Sequence, residues 1–198
     1  KVPVAMMRNT FVDNIDYMQT KDYQAVELPY RGNASSSFSM LILLPTRKNG
    51  LAQLENMLTM RMLDDCVSRL SYNIVDVFLP RFKISWGTKD VQDQLRALGM
   101  PQAFSPAQAD FSGINGRKPP EEDALFVSGV LHKAYVNVQE EGTEAAAATA
   151  VPMAAAIGAM PKKLVIPVFR ADHPFLFAIR DVTSGAILFI GRVADPTK

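Results

Sequence analysis

Glu140-Glu141-Gly142-Thr143-Glu144-Ala145-Ala146-Ala147-Ala148-Thr149-Ala150 is the stretch on which the reading of this 198-residue chain turns. It follows an apolar run from Leu131 to Val138 and leads through small residues, Val151 to Met160, to Pro161-Lys162-Lys163. Alanine is the best helix former and Thr143 is a good cap, so local propensity alone predicts a helix. Two features oppose a permanent one. Gly142 puts a permissive backbone at the junction, which suits a hinge. A packed helix also buries an apolar stripe. From Thr143 to Ala156 the only large apolar residues are Val151 and Met153, with Pro152 between them. Side chains this small suit a segment that has to fit two environments.

Around this stretch the composition is that of an ordinary globular protein, 48% hydrophobic and 21% charged. A formal net charge of +1 gives no electrostatic reason to expect nucleic acid or an acidic membrane as a partner. No apolar run approaches the ~20 residues that a membrane-spanning helix needs. The one cysteine, Cys66, has no partner for an internal disulfide. The start, Lys1-Val2-Pro3-Val4-Ala5-Met6-Met7-Arg8, lacks the layout of a secretory leader, and the expectation is a piece of a longer protein.

Outward from the centre, the pattern predicts an α+β fold dominated by antiparallel sheet. Phe11 to Met18 and Tyr23 to Leu28 alternate as strands, and Phe38 to Leu44 is a nearly continuous apolar run, a strand buried on both faces. Leu51, Leu54, Leu58, Met62, Cys66 and Leu70 recur at helical spacing, which makes Cys66 a small core residue. Asn73 to Ile84 is a strand region in which Pro80 implies a bend or an edge. Thr88 is expected to cap a short helix closed by Gly99, and 104–120 to be loop. Leu125 to Val138 reads as one long strand. Leu164 to Phe169, Phe175 to Ile179 and Ala186 to Val193 read as three more, the last two joined by Thr183-Ser184-Gly185 as a hairpin. No repeat or linker divides the chain, so residues 1–198 are expected to be part of a single domain.

Catalytic chemistry is scarce. Neither His132 nor His173 belongs to a recognisable triad, no Gly-x-Ser-x-Gly elbow occurs, and no cluster has metal-ligand spacing. On a strand, His132 is expected to be a hydrogen-bonded structural residue. The residues do not read as an enzyme, and no cofactor is implied.

Several stretches together carry a family resemblance. Leu131-His132-Lys133-Ala134 followed by Glu140 to Ala150 resembles the hinge of the serpins and the strand leading into it. Ala171-Asp172-His173-Pro174-Phe175-Leu176-Phe177-Ala178-Ile179-Arg180 resembles their signature, and Leu188 to Val193 their final strand. Leu28-Pro29-Tyr30, Leu79-Pro80-Arg81-Phe82 and Asp110-Phe111-Ser112-Gly113 fall in the family's order. The resemblance covers the whole chain and implies the C-terminal portion of the serpin fold, with a reactive loop at about 140–163.

The resemblance implies a serine protease inhibitor that acts as a suicide substrate. The loop is offered to the protease and cut, and after acylation it inserts as an extra strand into the central sheet. The hinge would comprise Glu140, Glu141, Gly142, Thr143, Glu144, Ala145, Ala146, Ala147, Ala148 and Thr149. The usual scissile position, the seventeenth from Glu140, is Ala156, which makes Ala156-Ile157 the expected reactive bond, with the bonds at Met153, Ala155 or Gly158 as alternatives. Alanine there suits an elastase-like or subtilisin-like protease with a small first pocket. His132 matches the histidine that controls sheet opening, and Arg81 the basic partner of Glu140. The implied partner is the target protease, held as a covalent acyl-enzyme by a protein that is monomeric when complete. An extracellular, secreted setting is the family's commoner one. The alternative is a non-inhibitory serpin serving as chaperone, carrier or storage protein.

Overall fold

The computed structural model describes residues 3–9, 15–30, 38–139 and 166–197. It contains strands β1 (Met6–Asn9), β2 (Ile15–Gln19), β3 (Tyr23–Pro29) and β4 (Phe38–Pro45), then helices α1 (Leu51–Met57) and α2 (Met60–Arg69). Strands β5 (Ser71–Asn73), β6 (Asp76–Pro80) and β7 (Phe82–Asp90) follow, then helices α3 (Gln92–Ala97) and α4 (Ser112–Asn115). Strands β8 (Leu131–Val138), β9 (Val168–Arg170), β10 (Phe175–Asp181) and β11 (Ile187–Val193) complete the order. Two units are distinct: Lys1–Lys83 with Asn137–Lys198, and Ile84–Val136.

The larger unit is built on a six-stranded sheet in the order β11-β10-β4-β3-β2-β5, antiparallel throughout. Its centre is the apolar run of the sequence. Residues 39–45 are all buried, as a strand covered on both faces requires. Alternation sends Leu41 and Leu43 to one face, where they join Met18, Tyr23, Ala25, Leu176 and the helical residues Leu54, Leu63 and Cys66. On β10, Phe175 and Phe177 alternate with Leu176, and both rings meet Phe82, at centroid distances of 5.8 and 5.5 Å. Each such fully buried side chain contributes about 1.5–3 kcal/mol. Space is tight at the pair of Phe177 and Gly191. A Cβ on Gly191 would stand 2.8 Å from the Phe177 ring.

The helical stretch is two helices, because Leu58 turns extended and Thr59 restarts the chain, its hydroxyl accepting from the Met62 N–H at 3.1 Å. Cys66 is fully buried, as expected, and burial pushes its thiol up to about 11 and the Tyr23 phenol up to about 12. Both stay neutral at physiological pH. The last two strands form the expected hairpin, turned at Gly185 in the left-handed region (φ +75°) with Gly185 N–H donating to Asp181 O. A second, three-stranded sheet runs β1-β6-β9, antiparallel then parallel.

The smaller unit holds the pairing of β7 with β8. Three expectations are corrected here. Thr88 lies in β7 and caps nothing. The Asp90 carboxylate instead accepts from Gln92 N–H at the start of α3. The 104–120 stretch contains α4, where the Asp110 carboxylate accepts from Ser112 N–H and Oγ–H and from Lys118, which holds it down to about 2. The long strand from Leu125 shrinks to β8. Val127 N–H donates to Ala103 O and Val130 N–H to the Asp90 carboxylate, so these groups are satisfied outside a strand ladder.

A charge network crosses the middle of the large sheet. Arg180 on β10 donates to Glu27 on β3 at 2.7 Å, and Ser39 on β4 donates to the same carboxylate oxygen. Arg180 is only 8% exposed. Removing one partner of such a pair leaves a charge buried alone, so Arg180→Met is expected to cost about 3–5 kcal/mol by chemical denaturation, most of it recovered in Arg180→Met/Glu27→Gln. Asp16 stands opposite Glu27 in the register. Burial, and then repulsion from Glu27, raises its carboxyl above the ordinary value. Its folded state therefore holds the proton more tightly than the unfolded chain, and ionised Asp16 costs stability above the carboxylate range. Asp16→Asn is expected to melt higher than the wild type at neutral pH. The gap should close as the pH falls to the ordinary aspartate range.

Candidate functional site

The expected hinge, Glu140 to Thr149, and the expected reactive pair, Ala156 and Ile157, lie outside the described residues. The structure fixes the two points between which that segment runs, and both belong to the larger unit. Upstream, Asn137, Val138 and Gln139 at the end of β8 line a small cavity of about 40 Å³ with Leu28, Tyr30 and Leu79. Tyr30 is held by its N–H on Phe38 O at 2.8 Å, and burial raises its phenol. Downstream, Pro167 O accepts from Asp76 N–H at 2.9 Å, and β9 pairs in parallel with β6. Phe169 is fully buried there.

Strand β6 is thus common to both anchors. Leu79 lines the first, and Asp76 to Phe78 carry the second. The second anchor is reinforced across three strands. Arg8 and Arg170 register on either side of Phe78, their guanidinium carbons 5.1 and 3.7 Å from its ring centroid. A ring face attracts a cation through its quadrupole. Arg8 also makes a two-point pair with Asp76, at 3.2 and 3.0 Å.

Beyond β9, the signature residues Asp172 and His173 pin the chain to the end of β4. The His173 Nε2 lies 2.7 Å from Pro45 O, which can only accept, so Nε2 donates. Nδ1 lies 2.8 Å from the Asp172 carboxylate, and that bond lowers the Asp172 carboxyl from its ordinary value. The sequence contained the motif but gave these two residues no task. The Arg8-Phe78-Arg170 row had no sequence signal at all, since its members come from three separated strands.

His132 and Arg81 are placed as follows. Arg81 is exposed between β6 and β7, with its N–H on Ala5 O at 3.1 Å. Its expected partner Glu140 is outside the described residues. His132 is exposed on β8 and packs its ring against Trp86 of β7, 5.4 Å between centroids and 52° between planes. The hydrogen bond expected of His132 is not among its contacts with the described residues. No group of three or more His, Cys, Asp or Glu among the described residues could hold a metal. None of their helices is long and apolar enough to cross a membrane.

The family model for serpin (serine protease inhibitor) matches residues 1–196. Serpin B8 of Bos taurus is 41% identical over 198 residues, covering 99% of this chain and 49% of that protein. Leukocyte elastase inhibitor of Homo sapiens is 39% identical over 186 residues, covering 91% and 45%. The crystal structure of uncleaved ovalbumin superposes with a TM-score of 0.73 at 31% identity, covering 98% of this chain and 45% of that one. The chain spans about half the length of the curated relatives it matches. It belongs to the serpin family.

Phe78→Leu keeps the hydrophobic contact and loses both cation–π contacts, and is expected to cost about 1–2 kcal/mol in denaturant titration. Trp86 is the sole tryptophan of this chain, and imidazole, above all in its protonated form, quenches indole emission at contact. His132→Leu should therefore brighten the Trp86 emission, most at acid pH, and unchanged emission would place the ring elsewhere.

Proposed function

We propose that the protein carrying this chain is a serpin that inhibits a serine protease as a suicide substrate. The observation that carries the proposal is the composition of 143–156: one charge, Glu144, among alanine, threonine and few larger side chains. A strand that enters an existing sheet must desolvate every second side chain. A charge facing inward would cost several kcal/mol, whereas alanine and threonine pass at little cost. Each new ladder bond adds about 1 kcal/mol net, and a starting fold held by kinetics can release that energy once cut.

In this reading the protease serine attacks the Ala156 carbonyl and the Ile157 amine leaves, giving an acyl-enzyme. The segment upstream of Ala156 then enters the sheet and drags the tethered protease with it, so that its machinery is distorted before water can hydrolyse the ester. Gly142 and Thr143 begin the entering strand. Arg81 holds Glu140 beforehand, and His132 controls the opening of the sheet. The segment stays tied on both sides of the cut, because both anchors rest on β6. A small first pocket in the target, as in elastase-like or subtilisin-like enzymes, fits Ala156. A relative named as an elastase inhibitor supports that class.

Mixed with pancreatic elastase, the full-length protein is expected to give a complex that survives denaturing electrophoresis and to release a peptide beginning at Ile157. Thr143→Arg should abolish the complex while cleavage continues. Retained inhibition by that variant would refute strand insertion, and a peptide with another first residue would move the reactive bond.

A further inference from the structure

A cavity of about 260 Å³ opens in the larger unit between the turn that joins β2 to β3 and the connection from β4 to α1. Lys21, Asp22, Arg47 and Gln53 supply its polar wall, and Leu54 and Met57 its apolar wall. No ion pair engages Lys21 or Arg47 among the described residues, although oppositely charged groups elsewhere on this unit pair readily, as in Arg8 with Asp76 and Arg192 with Glu55. Two cations against one carboxylate leave the cavity one positive charge in excess.

Both turns are held in place. Thr46 N–H donates to Asp22 O at 2.8 Å, which ties one turn to the other. The Thr20 hydroxyl accepts from Asp22 and Tyr23 N–H at 3.2 and 3.0 Å. Gly50 N–H closes the second turn on Arg47 O at 2.8 Å. With φ −84°, Gly50 is in a region open to any residue, so what selects glycine is space. A Cβ there would sit 2.9 Å from both Arg47 O and the Pro45 Cβ. Any larger residue would push the Arg47 turn outward. The tied turns fix where the two cations are mounted, while each exposed side chain gives up rotamer freedom on binding.

We propose that this cavity binds a small organic monoanion, a carboxylate with a short hydrocarbon chain. Its carboxylate lies between Lys21 and Arg47, and its chain runs against Leu54 and Met57. The volume lies just below the usual range of ligand pockets, about 300–1,000 Å³, which limits the chain to a short one. Charge-assisted hydrogen bonds from two cations supply affinity, and the apolar wall separates this ligand from a bare inorganic anion. The site is independent of protease inhibition.

The test titrates the full-length protein with hexanoate, followed by NMR shifts of the 20–23 and 46–54 amides. Saturable binding is expected, with hexanamide and inorganic phosphate each roughly tenfold weaker or more, since each lacks one of the two recognised features. Lys21→Gln/Arg47→Gln should weaken hexanoate by a similar factor, and so should Gln53→Glu, which places a like charge beside the carboxylate. Both changes fall at exposed positions. Should the double variant not fold, Gln53→Glu alone decides. Absence of saturation overturns the proposal. So does equal binding of hexanamide or phosphate, or hexanoate binding that Gln53→Glu leaves unchanged.

Discussion

Burial of β4 on both faces is the constraint from which the larger unit follows. A strand with residues 39–45 all out of water demands a cover on each side and a ladder partner on each edge. The helices α1 and α2 cover one face through Leu54, Leu63 and Cys66. The Phe82, Phe175 and Phe177 rings lie on the other. The partners are β3 and β10, and the charge network of Glu27, Ser39 and Arg180 takes one residue from each of these three strands. A buried ionic pair is a weak source of net stability but punishes any register in which its members miss each other. Here it fixes which residues of β3, β4 and β10 stand together.

Much of this was legible in the sequence where the signal is local. Phe38 to Leu44 announce a doubly covered strand, and Thr183-Ser184-Gly185 announces the last hairpin, because run length and turn chemistry depend on near neighbours. Elements whose partners come from elsewhere were less legible. Leu125 to Val130 have the residues of a strand, but the Val127 N–H meets Ala103 O and the Val130 N–H the Asp90 carboxylate, and the ladder begins only at Leu131. Trp86 to Asp90 break the alternation with Gly87 and Thr88, yet pairing with β8 carries them as strand. The helix signal across Leu58 and Thr59 was sound in period and silent about the break, since a mid-pattern threonine reads equally as interior or as cap.

The candidate site divides the same way. The proposed role of Glu140 to Ala156 rests on composition and family resemblance, because a segment of small residues has little else to read. The anchors had to come from structure. Phe78 is an ordinary strand residue by sequence. Only the register with Arg8 and Arg170 shows that one ring joins the strand following the segment to β1. Likewise Asp172 and His173 gain their task from Pro45, whose carbonyl lies 128 positions away from His173 in the chain.

The position of β10 beside β4 has a consequence for the order in which the protein takes shape during synthesis. The pair of Glu27 and Arg180 closes a separation of 153 residues. Strands β2, β3 and β4 can meet as neighbours soon after they leave the ribosome. Until residues 175–181 emerge, however, one edge of the most apolar strand in the unit has no partner. Non-local pairing of this kind is slow, and an open apolar edge invites association with other chains meanwhile. Nascent chains of this protein thus pass through an interval in which the strand that later secures the fold is the one most in need of protection.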